Sequence, residues 1–278
     1  MNLLDIADNL EFKDGIWFSK NTSEIPYPQG DSEPYFQMEE KSFWLKHRKS
    51  CVLETIKNFP SEGYLVDVGG GSGYLAQELE KSGISTFLIE PRIDKILNAK
   101  RRGLKNLLCS TLEDAKFHGG SLNAIGIFDV LEHQKDDAYF LAMINDILAK
   151  DGQVFITVPS FNILWSSGDD FMRHYHRYTL GGITKKLERA GFKIEYSTYI
   201  FSILPVLIFL FRKIPTLLGI SKHSSEGALR KDYIQNYSVL SGLLNKIWAQ
   251  ETSLLKKKKK IHFGSTCLVV ARKRSVLC

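Results

Sequence analysis

Cysteine is scarce: the chain of 278 residues has four, Cys51, Cys109, Cys267 and Cys278. No pair has C-x-x-C spacing, so neither a disulfide framework nor a zinc ribbon is visible. Cys109 and Cys267 sit in apolar runs, where a thiol packs as a small hydrophobe, and a reducing, cytoplasmic compartment is the expectation. An uninterrupted membrane span is lacking too. Tyr196 to Phe211 holds 16 residues without a charge but contains Pro205, and a spanning helix needs about 20 apolar residues. The segment MNLLDIADNLEFKD has acidic residues where a secretory signal has basic ones, and no long apolar core. No internal repeat is evident. Apolar residues at 44% and charged residues at 24% exclude wholesale disorder. The length suits one elaborated domain, or one domain with an appendage.

Charge is present but uneven. The net charge is +6, made of −7 over residues 1–160 and +13 over residues 161–278. A basic back half implies an anionic partner. Its densest feature is the five-lysine run Lys256–Lys260.

From residue 62 the hydrophobic pattern alternates strand and helix. Short apolar runs at Tyr64–Val68, Thr86–Ile89, Leu107–Ser110, Ala124–Phe128 and Val154–Val158 read as buried strands. Lys193–Thr198 and Thr266–Ala271 make seven. Between them lie helical patterns, among them Tyr74–Lys81, Ile93–Arg102, a helix opened by Asp136 and Asp137, and one capped by Thr179. The expected fold is α/β: a doubly wound, seven-stranded, mostly parallel sheet with helices on both faces and a helical insertion before the last strand. The expected organisation is an N-terminal wrap or lid (1–40), a core (41–198), a mostly helical apolar and basic cap (199–262), and the final strand with its tail (263–278).

The most informative motif is Leu65-Val66-Asp67-Val68-Gly69-Gly70-Gly71-Ser72-Gly73-Tyr74, which follows a strand and opens a helix. Glycines let the backbone turn sharply and approach a ligand. Glu90 ends the next strand, where a carboxylate can accept both hydroxyls of an adenosine ribose. Dinucleotide binding competes, but its third small residue is replaced here by Tyr74.

VDVGGGSG, then LIEPR, then FDVLEH resembles the class I, Rossmann-like S-adenosylmethionine (SAM)-dependent methyltransferases. EEKSFWLKHRKSCVLETI, RHYHRYTLGGITKKLERAGF and FGSTCLVVARK are similar to a bacterial-type branch, and the resemblance covers roughly residues 24–275. It implies SAM as cofactor. Gly69, Gly70, Gly71 and Gly73 would cradle its methionine part, Asp67 would help hold the amino group, and Glu90 the ribose. Thr111 and Leu112 would border the adenine, with Phe128 under the cofactor. Many relatives carry Asp at the position of Thr111, which shifts adenine contact here to backbone groups.

Methyl transfer to oxygen needs a base, and histidine suits neutral pH. His133, His174 and His176 are the candidates, all expected at the carboxyl edge of the sheet, where ligands bind in such folds. Each alone is more often a structural hydrogen-bonding residue. Asp129, Glu132, His133 and His174 also make a donor set for a divalent cation. The set resembles the metal site of ubiquinone-biosynthesis and small-RNA 2′-O-methyltransferases, which have Glu where Asp129 stands. Many methyltransferases carry a Leu-Glu-His run without metal. Arg48 is a candidate for an anionic acceptor or the SAM carboxylate, while Phe43, Trp44 and Leu45 read as packing residues.

The expected activity is O-methylation of a small-molecule, sugar or lipid-linked acceptor. An RNA methyltransferase and an inactive SAM-binding, membrane-associated scaffold are the alternatives. The apolar stretch after residue 196 and the lysine run together suit docking on an anionic bilayer surface, at the inner face of the membrane. Burial of that stretch against the sheet or a partner subunit explains it equally well. No RNA-binding module is recognised in the back half.

Overall fold

The structure is a computed structural model that describes residues 3–21, 33–209 and 241–275. Arg212, Lys213, the middle of the expected cap and Cys278 lie outside the described residues.

The elements are strands β1 (Leu10–Lys13) and β2 (Ile16–Ser19), helices α1 (Glu33–Glu39) and α2 (Phe43–Asn58), then β3 (Leu65–Val68), α3 (Tyr74–Lys81), β4 (Thr86–Ile89), α4 (Ile93–Arg101) and β5 (Leu107–Cys109). There follow α5 (Leu112–Ala115), β6 (Leu122–Phe128), α6 (Asp137–Ile147), β7 (Leu148–Pro159), α7 (Ser167–Phe171), α8 (Leu180–Arg189) and β8 (Phe192–Ile200). The last are α9 (Leu204–Ile208), α10 (Ser241–Lys256) and β9 (Thr266–Lys273). They build one sheet in the order β1-β2-β5-β4-β3-β6-β7-β9-β8. The strands from β2 to β7 run parallel to their neighbours across the centre, and β9 lies antiparallel between β7 and β8.

The sheet has nine strands, not the expected seven. The two extra strands come from the N-terminal region, where Asp14-Gly15 turns with φ of 50° and 77°. Asp-Gly with two positive φ values matches the twist of a two-residue hairpin. Leu10 and Ile16 are buried, and β2 pairs in parallel with β5. Asp151-Gly152 sits inside the long β7, at an irregularity between Leu148 and Gln153 in its pairing with β6.

Alternate strand residues fill opposite faces, as the two-residue period of a strand requires. Val66, Val68, Ile125 and Ile127 pack with Phe140, Leu141 and Ile144 of α6 and Ile183 and Leu187 of α8. Leu65, Ala124 and Phe128 pack with Cys51, Val52 and Ile56 of α2, Leu75 and Leu79 of α3, and Trp248 and Leu255 of α10. This is why β3 is buried along its whole length and reads as an apolar run broken only by Asp67.

Helix α10 is fastened to α2 by aromatic stacking and a hydrogen bond. Trp248 stacks on Phe43 and His47 at 4.9 and 4.8 Å. Glu251 pairs with His47 at 2.8 Å and accepts from the backbone N–H groups of Phe201 (2.9 Å) and Ser202 (2.6 Å). The chain after α10 then runs along the outer side of β8. Tyr199 N donates to Ile261 O at 3.0 Å, Ile261 N to Thr198 Oγ1 at 2.7 Å, and Tyr196 Oη to Lys259 O at 2.7 Å.

The apolar stretch divides. Tyr196, Tyr199, Ile200 and Phe201 are buried at the end of β8, whereas Val206 and Phe209 are exposed. Among the described residues no helix is long and apolar enough to cross a membrane.

Candidate cofactor and acceptor site

The glycine loop joins β3 to α3. Gly71 has a φ of +59°, and a Cβ there would meet nothing within 4 Å. Glycine is needed at that position for the left-handed backbone, and the face it leaves open is free for a ligand. At Gly70 the constraint is space: a Cβ would lie 2.2 Å from Leu88 Cδ1 and 2.5 Å from Asp67 Oδ2. Glu90, buried at the end of β4, accepts from Gly71 N and Arg92 N at 3.1 Å each. A carboxylate offers about four lone-pair sites, so acceptor capacity is left over. Burial pushes the Glu90 carboxyl above its usual range, against the pull of Lys95 and of these two amides.

Asp67 is 1% exposed, and its Oδ2 has no hydrogen-bond partner among the described residues. Burial raises its pKa from 3.8 to about 7; Arg48 pulls it down and Glu90 pushes it up. A cavity of about 150 Å³ opens here, lined by Glu39, Arg48, Lys49, Asp67, Gly69, Gly70, Gly71, Tyr74 and Phe128. Gly73, at φ +75°, precedes α3. Thr111 and Leu112 stand apart from this cavity. Thr111 Oγ1 caps α5 by accepting from Asp114 N at 3.0 Å, and Leu112 is part of the core.

Beyond Phe128 the chain passes through Asp129, whose φ of +57° is unusual for a residue with a side chain. Its carboxylate is committed. Thr157 Oγ1 donates to Oδ1 at 2.9 Å, and Arg48 Nε lies 2.7 Å from Oδ2, while Arg48 Nη2 donates to Phe128 O at 2.7 Å.

The structure brings Glu132, His133 and His174 together, with one donor atom of each within 4.8 Å of the others. Asp129 is not in that group. The two imidazoles meet edge to face at 4.7 Å. His176 turns away, with Nε2 at 3.4 Å from Lys135 O. His174 Nδ1 lies 2.9 Å from Asp169 Oδ1, which also accepts from Arg177 Nε at 2.7 Å. Burial pushes the Asp169 carboxyl up, but the bonds from His174 and Arg177 prevail and hold it well below the usual range. Burial and the neighbouring His174 bring the pKa of His133 down to about 4, with Asp129 opposing. Glu132 is raised well above its usual range by burial and by Asp129, and its Oε2 has no hydrogen-bond partner among the described residues.

Three residues of this region had no assigned role in the sequence pattern. Asp169 is legible afterwards as part of the Ser166–Asp169 capping box of α7, with Ser166 N donating to Asp169 Oδ2 at 2.8 Å. Glu39 and Arg177 carry no local signal. Trp44 stacks on Phe201 at 5.4 Å, the packing role expected for it.

A central parallel strand followed by a glycine turn, with an acidic residue at the end of the neighbouring strand, defines an α/β domain built to bind a nucleoside-containing cofactor. The family model described as a methyltransferase domain matches residues 43–197, more than half of the chain, and the protein belongs to that family, within the class I SAM-dependent methyltransferases. Among curated proteins none matches the sequence. Solved structures share the fold. A SAM-dependent methyltransferase of Thermotoga maritima is 15% identical, with 87% of this chain and 98% of that one covered and a TM-score of 0.55. A SAM-dependent methyltransferase of Archaeoglobus fulgidus is 16% identical, with coverages of 86% and 99% and a TM-score of 0.50. Phosphoethanolamine N-methyltransferase 2 of Haemonchus contortus, solved with SAM, is 16% identical, with coverages of 87% and 56% and a TM-score of 0.52.

Proposed function

We propose that this methyltransferase acts on an oxygen atom of a small-molecule, sugar or lipid-linked acceptor, with His174 as the base. The observation that carries this is the 2.9 Å contact between His174 Nδ1 and Asp169. A carboxylate on Nδ1 fixes the proton there and leaves Nε2 with its lone pair. Asp169 is itself held by Arg177, so the imidazole is oriented from behind. His133, with its lowered pKa, is neutral at physiological pH and stands beside His174 as a hydrogen-bonding partner for the acceptor hydroxyl.

SAM supplies a methyl group activated on a cationic sulfur. In this reading the glycine loop and Phe128 hold its methionine part, Glu90 accepts from its ribose, and Asp67 faces its ammonium group. The orphaned, buried Oδ2 of Asp67 and the open face at Gly71 fit such a ligand. The chain's remaining task is to position the acceptor and take its proton onto His174 as the carbon–oxygen bond forms. A lipid-linked acceptor is supported by Ile163, Phe171, Met172 and Tyr175, all exposed on the stretch that carries His174. Apolar side chains of this kind, with the basic back half, suit work at an anionic bilayer surface, which flotation with anionic liposomes tests.

A second reading adds a divalent cation on Glu132, His133 and His174. It is favoured by the unsatisfied, buried Oε2 of Glu132 beside two imidazoles. A cation there would polarise the acceptor oxygen. Activity that survives exhaustive chelation overturns it.

The test of the main reading is SAM turnover against a panel of hydroxylated acceptors, comparing wild type with His174→Ala. The expected outcome is a loss of about 10²–10⁴-fold in turnover with unchanged SAM affinity. Methylation of amines alone would refute the oxygen assignment.

A further inference from the structure

The glycine loop is gripped from outside by α1. Ser72 Oγ donates to both oxygens of the Glu39 carboxylate. Arg102, which follows α4, spends its whole guanidinium on this junction. Its Nε donates to Ser72 O at 3.1 Å, Nη2 to Glu39 at 2.9 Å, and Nη1 to Glu40 at 3.2 Å. The Arg102 side chain is 3% exposed, and the Phe36 ring of α1 lies 4.4 Å from its Cζ. A planar fork with three separately held nitrogens is a fastening that no lysine reproduces.

The same Glu39 carboxylate lines the cavity beside Asp67, Gly70 and Gly71. The cavity's cations are engaged elsewhere. Arg48 pairs with Asp129 at 2.7 Å, and Lys49 pairs with Glu78 at 2.9 Å and lies over the Tyr74 ring at 4.3 Å. At the glycine-loop end the cavity shows two carboxyl groups, Glu39 held by Arg102 and Ser72 and Asp67 with an unsatisfied oxygen. Carboxyl oxygens with acceptor capacity to spare suit a cationic hydrogen-bond donor. The methionine part of SAM offers an ammonium group.

Resting on the SAM reading, we infer that Glu39 binds the ammonium group of the cofactor and that Arg102 latches α1 over it through the same carboxylate. Cofactor exchange then requires α1 to lift and the buried Arg102 fork to break. The ammonium group is common to SAM and its demethylated product, so Glu39 holds both to the same degree.

The test is calorimetric titration of the full chain with SAM and with S-adenosylhomocysteine. Wild type is compared with Glu39→Gln, Arg102→Lys and Ser72→Ala, and circular dichroism checks that each is folded. Glu39→Gln should weaken both ligands equally, by roughly 10- to 100-fold, since one charge-assisted contact is lost. Arg102→Lys should raise the product dissociation rate in stopped flow by several-fold. Ser72→Ala removes one hydroxyl only and should act in the same direction if Arg102→Lys does not fold. Wild-type affinity in Glu39→Gln, or weakening of SAM alone, overturns the assignment. If wild type binds neither ligand, the SAM reading itself fails, which is a distinct result.

Discussion

Asp67 makes the stability of the cofactor-free protein depend on pH in a direction opposite to that of most carboxylates. Its pKa is raised from 3.8 to about 7, so the folded state holds a proton that the unfolded state gives up. The resulting stability is fully present below the unfolded value and is lost as pH rises through the folded one. Between about pH 5 and about pH 8 the loss from this group is about 2.7 kcal/mol at 1.36 kcal/mol per unit. Burial of His133 in neutral form acts the other way, adding stability as pH rises from about 4 towards its ordinary 6.5. Wild type alone would therefore mix the two effects. Comparison with Asp67→Asn separates them, because the amide does not titrate. The stability difference between the two proteins, from urea unfolding without cofactor, should shift by about 2–3 kcal/mol between these pH values, with wild type relatively favoured at the lower. Parallel stability profiles would refute the burial account of Asp67.

Glu90→Ala should weaken SAM binding by at least about 10-fold, since each charge-assisted ribose hydrogen bond contributes roughly 1.5–3 kcal/mol; unchanged calorimetric affinity counts against the ribose assignment. Asp169→Asn should lower turnover by about 10²-fold or more while leaving the cofactor constant alone, because the imidazole loses its orientation. Glu251→Ala leaves the buried His47, Phe201 N, Ser202 N and Ser202 Oγ without their shared carboxylate, so chemical unfolding should show a loss of about 3–5 kcal/mol, at roughly 1–3 kcal/mol per stranded buried group; a loss near zero would mean that α10 is held by its apolar and aromatic packing.

The central sheet was legible because its strands are buried on both faces and so lack polar interruptions. The Asp67 that does interrupt β3 belongs to the cavity. The hairpin escaped detection because Glu11, Phe12 and Lys13 are exposed, leaving an edge strand with little apolar pattern beyond its Asp-Gly turn. For the site, what lay close in sequence was readable. The loop from Asp67 to Gly73 and Glu90 do converge, through the Gly71–Glu90 hydrogen bond. His133 and His174 were placed by their shared sheet edge, and they meet. His176 and Asp129 followed from motif membership, and each is committed to a different neighbour. The Glu39–Arg102 pair spans 63 residues, and no local pattern announces a contact of that kind.

The lysine run lies beside the last strand of the sheet. Residues 259–261 sit along the open side of β8, bonded to Tyr196, Thr198 and Tyr199. At the other end β1 is four residues long and carries Glu11 and Lys13. Bare strand edges invite pairing with another chain, and short charged edges discourage it. Both margins of this nine-stranded sheet are thus guarded. The end of the lysine run and Ile261 cover part of the β8 edge through their backbone, a role that needs no anionic surface.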